Sequence, residues 1–357
     1  MRITRVESRI QRSAFTYGAG AAGVGGNLHL RGMDTLLVRV ETEDGRHGFG
    51  EGFGFNLVET TKEALDRLVA PACIGTDATD IAGLSLRLQR RFHNFGRSGP
   101  VIFALSGIDI ALWDLAAQRE GRPLHALLGG AARPRVEAYA SLLRYGVAAD
   151  VARNAAAAVA RGYRRIKLHE IDLDCIRAAR AAIPADIPIM LDINCAWPSV
   201  AEAVAFGRAV AEMNIAGVEE PIWPPEDFHA IAQVRAAGHT PIAAGENIGA
   251  PEEFGRFIAA GALDVAQPSV TKIGGLTGLR QVAALARGVA VVPHSPYFGP
   301  GLLATLHWLA ACEVPQPLEI YFAELEAAPY GRALDPDDGY VTVPVAPGLG
   351  LGLMPSW

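Results

Sequence analysis

The sequence predicts a parallel α/β barrel preceded by a smaller α+β cap, on three observations. From Val136 onward short apolar runs alternate with Ala-rich stretches at helical spacing, whereas the first 130 or so residues lack that alternation. Asp192, Glu219 and Glu246 each close an apolar run and follow one another at equal intervals of 27 residues. Such an interval accommodates about one strand, one helix and two loops of a barrel, whose chemistry gathers at the carboxyl ends of its strands.

The 357 residues suffice for a barrel and a smaller partner, and 50% hydrophobic content supports a large core. A formal charge of −6 without long charged runs argues against nucleic acid or an anionic membrane surface as partner. Cys73, Cys175, Cys195 and Cys312 are scattered without a C-x-x-C pair, so neither a thiolate metal site nor a disulfide framework is expected. The opening Met-Arg-Ile-Thr-Arg-Val-Glu-Ser-Arg carries charges where a signal peptide needs an apolar core. No apolar stretch is expected to reach the roughly 18 residues that span a bilayer. The expectation is a cytoplasmic homo-oligomer.

In the cap, Ile3 to Ile10 and Thr35 to Thr42 alternate as strands do, and Glu43-Asp44-Gly45-Arg46 turns the chain into His47-Gly48-Phe49-Gly50-Glu51, a hairpin pattern. Residues 13–33 hold six glycines and are expected to form a mobile loop. Apolar positions take helical spacing from Val58 to Leu128, as in Leu105, Ile108, Leu112 and Leu115, before Gly129-Gly130 and Pro134 mark a boundary. Strands are expected at 136–142, 164–169, 187–192, 216–219, 241–245, 263–267, 289–293 and 317–322, with amphipathic helices such as Asp150 to Arg161 and Ser199 to Glu212 between them. This divides the chain into a cap at 1–130, a barrel at 131–325, and a segment at 326–357 that packs back on the cap.

Carboxylates at the ends of three successive strands converge and repel unless a cation sits among them, and hard oxygen ligands favour Mg²⁺ or Mn²⁺. The second strand ends Lys167-Leu168-His169, and residues two apart share a face, so both polar groups project toward the barrel mouth. Asn194 shares the face of Asp192 and can bind substrate or a metal-bound water. Of Glu219 and Glu220, alternation allows only one to be a ligand. His294 follows the apolar run of strand seven, and Glu319 on strand eight is either a substrate partner or a structural acid.

These motifs, in order, resemble the enolase superfamily: Lys-x-His, Leu-Asp192-Ile-Asn, Glu219-Glu220-Pro, Gly-Glu246-Asn and Thr271-Lys272-Ile-Gly-Gly. Gly-Glu246-Asn and His294 are most similar to the mandelate racemase subgroup, and Ala104 to Asp114 is similar to the family's cap helix. The resemblance implies a (β/α)7β barrel, a modified TIM barrel, with an N-terminal cap. It also implies Mg²⁺ held by Asp192, Glu219 and Glu246, and removal of the proton α to a carboxylate of a small-molecule substrate. Lys167 then adds positive charge near the developing enediolate and His169 or His294 moves protons; Asn194, Ser269, Lys272 and Glu319 are the candidate substrate contacts.

Two departures bear on the reaction. His169 stands where the family usually has a second Lys, and a histidine with an ordinary pKa of about 6.5 is a competent neutral base near pH 7. Ser269 stands where the subgroup usually has an Asp behind the strand-seven His; serine can orient His294 but cannot stabilise its imidazolium by charge. A racemase needs bases on both faces, whereas a dehydratase needs one base and one acid. Dehydration of a hydroxy acid, with His169 as base and His294 as acid, is therefore expected. A racemase or epimerase is the alternative, and a non-catalytic metal-binding barrel is a reading of another class. The loop at 13–33 supplies Thr16, Asn27 and His29 as polar groups beside Phe15 and Tyr17, which suits a less polar substrate than a sugar acid.

Overall fold

The structure, a computed structural model, describes residues 1–16, 18, 32–353 and 357. Most of the glycine-rich loop expected at 13–33, including Tyr17, Asn27 and His29, lies outside the described residues.

The cap begins with an antiparallel sheet of β1 (Ile3–Gln11), β3 (Thr35–Thr42) and β4 (His47–Gly52), with β3 in the centre. The short β2 (Phe15–Thr16) pairs instead with β13 (Glu324–Leu325), beyond the barrel. Helices α1 (Val58–Ala64), α2 (Ala70–Cys73), α3 (Ile81–Arg91), α4 (Pro100–Arg119) and α5 (Leu124–Leu128) follow. Helix α4 lies directly on β4, and the Gly48-Phe49-Gly50 pattern is the reason it can: a Cβ at Gly50 would stand 1.9 Å from the Gly107 carbonyl oxygen. Contrary to expectation, α4 is long and apolar enough by composition to cross a bilayer. Its packing accounts for that composition, because most of its faces are buried, among them Leu105, Ile108, Leu112 and Leu115 in the cap core and Ile110 in the barrel core.

The barrel strands are β5 (Arg135–Ser141), β6 (Ile166–Leu168), β7 (Ile189–Asp192), β8 (Ile215–Glu219), β9 (Ile242–Ala244), β10 (Val265–Ala266), β11 (Ala290–Val291) and β12 (Leu318–Tyr321). Between consecutive strands run α6 (Ala148–Ala160), α7 (Leu173–Ala182), α8 (Val200–Val210), α9 (Phe228–Ala236), α10 (Pro251–Ala259), α11 (Gly275–Leu285) and α12 (Pro300–Ala311), which gives seven strand–helix units and a final strand. Local chemistry sets the helix starts. Asp172, Ser199 and Asp227 each accept a backbone N–H of the first turn of α7, α8 and α9, while α10 and α12 begin at proline, whose missing N–H costs nothing there.

The sheet is parallel from β11 through β5 to β12, so it curls with β11 and β12 at its ends. Ser295 bridges those ends: its N–H donates to Glu319 Oε2 at 2.8 Å and its hydroxyl to the Glu319 carbonyl at 3.2 Å. After β12, β14 (Tyr340–Thr342) returns antiparallel to the start of β5. Leu349 N then donates to Asp114 of α4, 2.8 Å away, tying the last stretch to the cap.

Candidate active site

Asp192 and Glu219 are the last residues of β7 and β8 and pair in register, and Glu246 follows β9 by two residues. The fold therefore brings the three acids to one end of the barrel, with one oxygen of each within 4.8 Å of the others. Three hard oxygen donors this close, with Glu219 Oε1 buried and lacking a hydrogen-bond partner among the described residues, fit a divalent cation of the Mg²⁺ type. Electrostatics point the same way. Burial, and then repulsion from Asp192, pushes the Glu219 carboxyl well above the usual carboxylate range.

Lys167, on β6, points inward and is 1% exposed. Its Nζ lies 2.7 Å from Glu319 Oε1, 3.2 Å from Glu219 Oε2 and 3.5 Å from Asp192 Oδ2. Burial alone would depress this amine, but the carboxylates outweigh it and hold its pKa well above the ordinary value. Lys167 is thus a fully engaged internal cation. Glu319 is equally enclosed, with one oxygen on Lys167 and the other accepting from Ser295 N, which favours its structural reading.

A histidine touches each outer carboxylate. His169 Nδ1 sits 2.5 Å from the Leu142 carbonyl oxygen and Nε2 3.1 Å from Asp192 Oδ2. A carbonyl can only accept, so Nδ1 carries a hydrogen and Nε2 faces the carboxylates. On the other side His294 Nε2 is 2.8 Å from Glu246 Oε2, and its Nδ1 is 2.7 Å from Ser269 Oγ. A hydroxyl both donates and accepts, so that contact orients the ring without dictating which nitrogen is protonated. Burial alone would raise the Glu246 carboxyl, but His294, Lys272 and Lys167 together outweigh it and hold it well below the carboxylate range.

Asn194 reaches Asp192 differently from simple strand alternation. The strand ends at Asp192, Asn194 and Cys195 take left-handed backbone angles (φ +45° and +57°), and Asn194 turns back so that its N–H and Nδ2 donate to Asp192 Oδ1 at 3.0 and 2.8 Å. Glu220, also left-handed at φ +47°, turns away to Cys195 Sγ at 3.2 Å, and burial pushes its carboxyl up to about 8. Lys272 does not stand free at the mouth: its ammonium donates to Asn247 Oδ1 at 3.0 Å and lies 4.3 Å over the ring of the cap residue Phe53. It bridges barrel and cap.

Three neighbours carried no assigned role in the sequence. Gln267, at the end of β10, donates to Glu219 Oε2 at 2.8 Å; the Tyr321 ring centre is 6.4 Å from that of His169; and Arg144, beyond β5, donates to the His169 carbonyl and to Asn194 Oδ1. Position at or just past a strand end was the available signal, but a lone Gln, Tyr or Arg there is as often a solvated surface residue. A cavity of about 780 Å³ has Tyr297 and Tyr321 in its wall.

The family described as enolase C-terminal domain-like matches residues 150–357, and the mandelate racemase / muconate lactonizing enzyme N-terminal domain matches residues 30–129. The chain belongs to the mandelate racemase-like branch of the enolase superfamily. This enolase-superfamily enzyme is 33% identical to D-galactarolactone cycloisomerase of Agrobacterium fabrum over 88% of both chains. It is 31% identical to D-galactonate dehydratase of Ralstonia nicotianae over 89% of this chain and 88% of that one. Among solved structures, a racemase from Streptomyces coelicolor A3(2) with bound magnesium superposes with a TM-score of 0.85 at 30% identity, covering 98% of this chain and 97% of that one. Membership in an enzyme superfamily replaces the reading of a non-catalytic metal-binding barrel.

Proposed function

We propose that this protein removes the proton α to the carboxylate of a hydroxy acid and eliminates the β-hydroxyl, acting as an acid dehydratase. The observation that carries the proposal is the convergence of Asp192, Glu219 and Glu246 with a histidine on each flank. Mg²⁺, with Mn²⁺ as a substitute, would be held by those three carboxylates and would supply a Lewis acid for the charge of the enediolate.

The chain's own residues account for the proton movements. His169, with Nδ1–H held by the Leu142 carbonyl, presents Nε2 as the base that takes the α-proton. The C–H electron pair moves into the dianionic enediolate, whose charge the buried Lys167 offsets. As that pair returns, the Cβ–O bond breaks and His294 gives its proton to the departing hydroxyl, leaving water and, on a substrate that also bears a hydroxyl at Cα, an enol that tautomerises to a 2-keto acid. Ser269 holds the His294 ring in line.

Incubation of hydroxy acids with enzyme and Mg²⁺ in D₂O tests this: a 2-keto acid should form, and its formation should stop on replacement of His169 by Asn. A second reading rests on the paired histidines. If both act as bases, the reaction is racemisation or epimerisation, and deuterium appears at Cα of both stereoisomers with no keto acid. A cycloisomerase reaction, as named for the D-galactarolactone and 3,6-anhydro-alpha-L-galactonate relatives, could use the same α-proton removal. Absence of α-deuteration and of product across the whole hydroxy-acid panel would remove the proposal.

A further inference from the structure

Arg144 stands just beyond β5 at the carbonyl side of His169, partly exposed. Its Nε–H donates to the His169 carbonyl, and one Nη donates to Asn194 Oδ1 at 3.3 Å. The same Asn194 donates through Nδ2 to Asp192, so the guanidinium is one side chain removed from the proposed metal site. The loop carrying it is pinned, because the buried Glu170 accepts the N–H groups of Tyr145 at 2.6 Å and Gly146 at 3.2 Å.

This arginine has neutral oxygens as its partners. Among the described residues no carboxylate pairs with it; Glu170, next to His169, is turned onto backbone amides, and Asp192 is screened by Asn194. The remaining residues, 17, 19–31 and 354–356, include no Asp or Glu. Two contacts orient the planar fork while Nη1 keeps both hydrogens free of protein acceptors among the described residues. A pre-oriented guanidinium with open donors matches a carboxylate better than it matches a hydroxyl or an apolar group.

Resting on the carboxylate chemistry proposed above, we infer that Arg144 receives a second carboxylate at the far end of the substrate, on the His169 side. The substrate class is then a hydroxy dicarboxylic acid, with one carboxylate at Asp192, Glu219 and Glu246 and the other on Arg144. This is more polar than the cap loop by itself suggests. Arg144 is a specificity-determining residue in this account; the α-proton step itself belongs to His169.

The test compares aldarates of four to six carbons with the aldonates that differ only in bearing CH₂OH at the far end, galactarate against D-galactonate being one pair. Cα deuteration in D₂O and calorimetric binding are the readouts. The wild-type enzyme should favour the dicarboxylate by roughly 10- to 100-fold in kcat/KM, the range of a charge-assisted hydrogen bond. Arg144→Gln should erase the preference, the dicarboxylate losing roughly 10- to 100-fold more in kcat/KM than its aldonate partner, and Arg144→Lys should retain part of it. Equal losses for both members of each pair would mean that Arg144 merely orients Asn194 or offsets the charge of the site, and would overturn the assignment. A wild-type preference for aldonates would overturn it while leaving the elimination chemistry in place. No deuteration and no binding for any pair would remove both proposals.

Discussion

The proposed reaction turns on His169 and Asp192. Asp192 contributes one of three convergent oxygens and is also held by His169, Lys167 and Asn194. Asp192→Asn leaves shape nearly unchanged but removes a charge, so turnover should fall roughly 10³-fold or more, by analogy with the loss of a transition-state stabilising group. The Mg²⁺-dependent rise in melting temperature should shrink with it. An Asn variant that retains both would take residue 192 out of the metal site. His169→Asn should lower the α-exchange rate by roughly 10²- to 10⁴-fold, the usual contribution of a general base. Exchange that persists at the wild-type rate would move the base elsewhere.

The elements matter because strand ends, more than loops, place these groups. The β6 strand carries Lys167 into a pocket walled by Glu319 of β12, Glu219 of β8 and Asp192 of β7, so one amine joins four strands of the barrel. Removing one partner of a buried ion pair leaves uncompensated charge and costs about 3–5 kcal/mol. Lys167→Met should therefore lower the melting temperature markedly in chelator and regain part of the loss when Mg²⁺ is added. Equal destabilisation with and without Mg²⁺ would show that Lys167 and the cation do not offset the same carboxylates. The strand pattern was legible because an apolar run of four to six residues that ends in an acid repeats down the chain. The turn of Asn194 and Glu220 into left-handed backbone was not, since alternation breaks once a strand ends.

Over the whole molecule, the cap docks on the barrel through buried carboxylates that meet backbone amides, without an ion pair among the described residues. Glu51 of β4 accepts Gly301 N at the start of α12 at 2.8 Å, and Asp109 of α4 accepts Thr277 N in the first turn of α11 at 3.0 Å. Burial pushes Glu51 up to about 8 and Asp109 to about 7. A folded-state pKa above the unfolded one means that the native state binds the extra proton. This contribution to stability is complete at pH values below the ordinary carboxylate range and is lost as pH rises through 8. Glu51→Gln keeps an acceptor oxygen and cannot ionise, so the melting temperature of the variant minus that of wild type should increase from pH 5 to pH 9. A difference that stays constant over that range would mean that Glu51 is not buried as a proton-binding group.

The amino-acid order alone determined the barrel with its cap and the equal spacing of Asp192, Glu219 and Glu246, because both follow from a repeat of strand and helix lengths along the chain. Family motifs marked His169 and Ser269 as departures. Only the tertiary structure decided that Lys167 and Lys272 are engaged by Glu319 and Asn247, that Gln267 reaches Glu219, and that among the described residues no acid pairs with Arg144 beside His169. Whether a charged side chain is neutralised or left open depends on groups brought together from strands far apart in sequence, and no local pattern records that meeting.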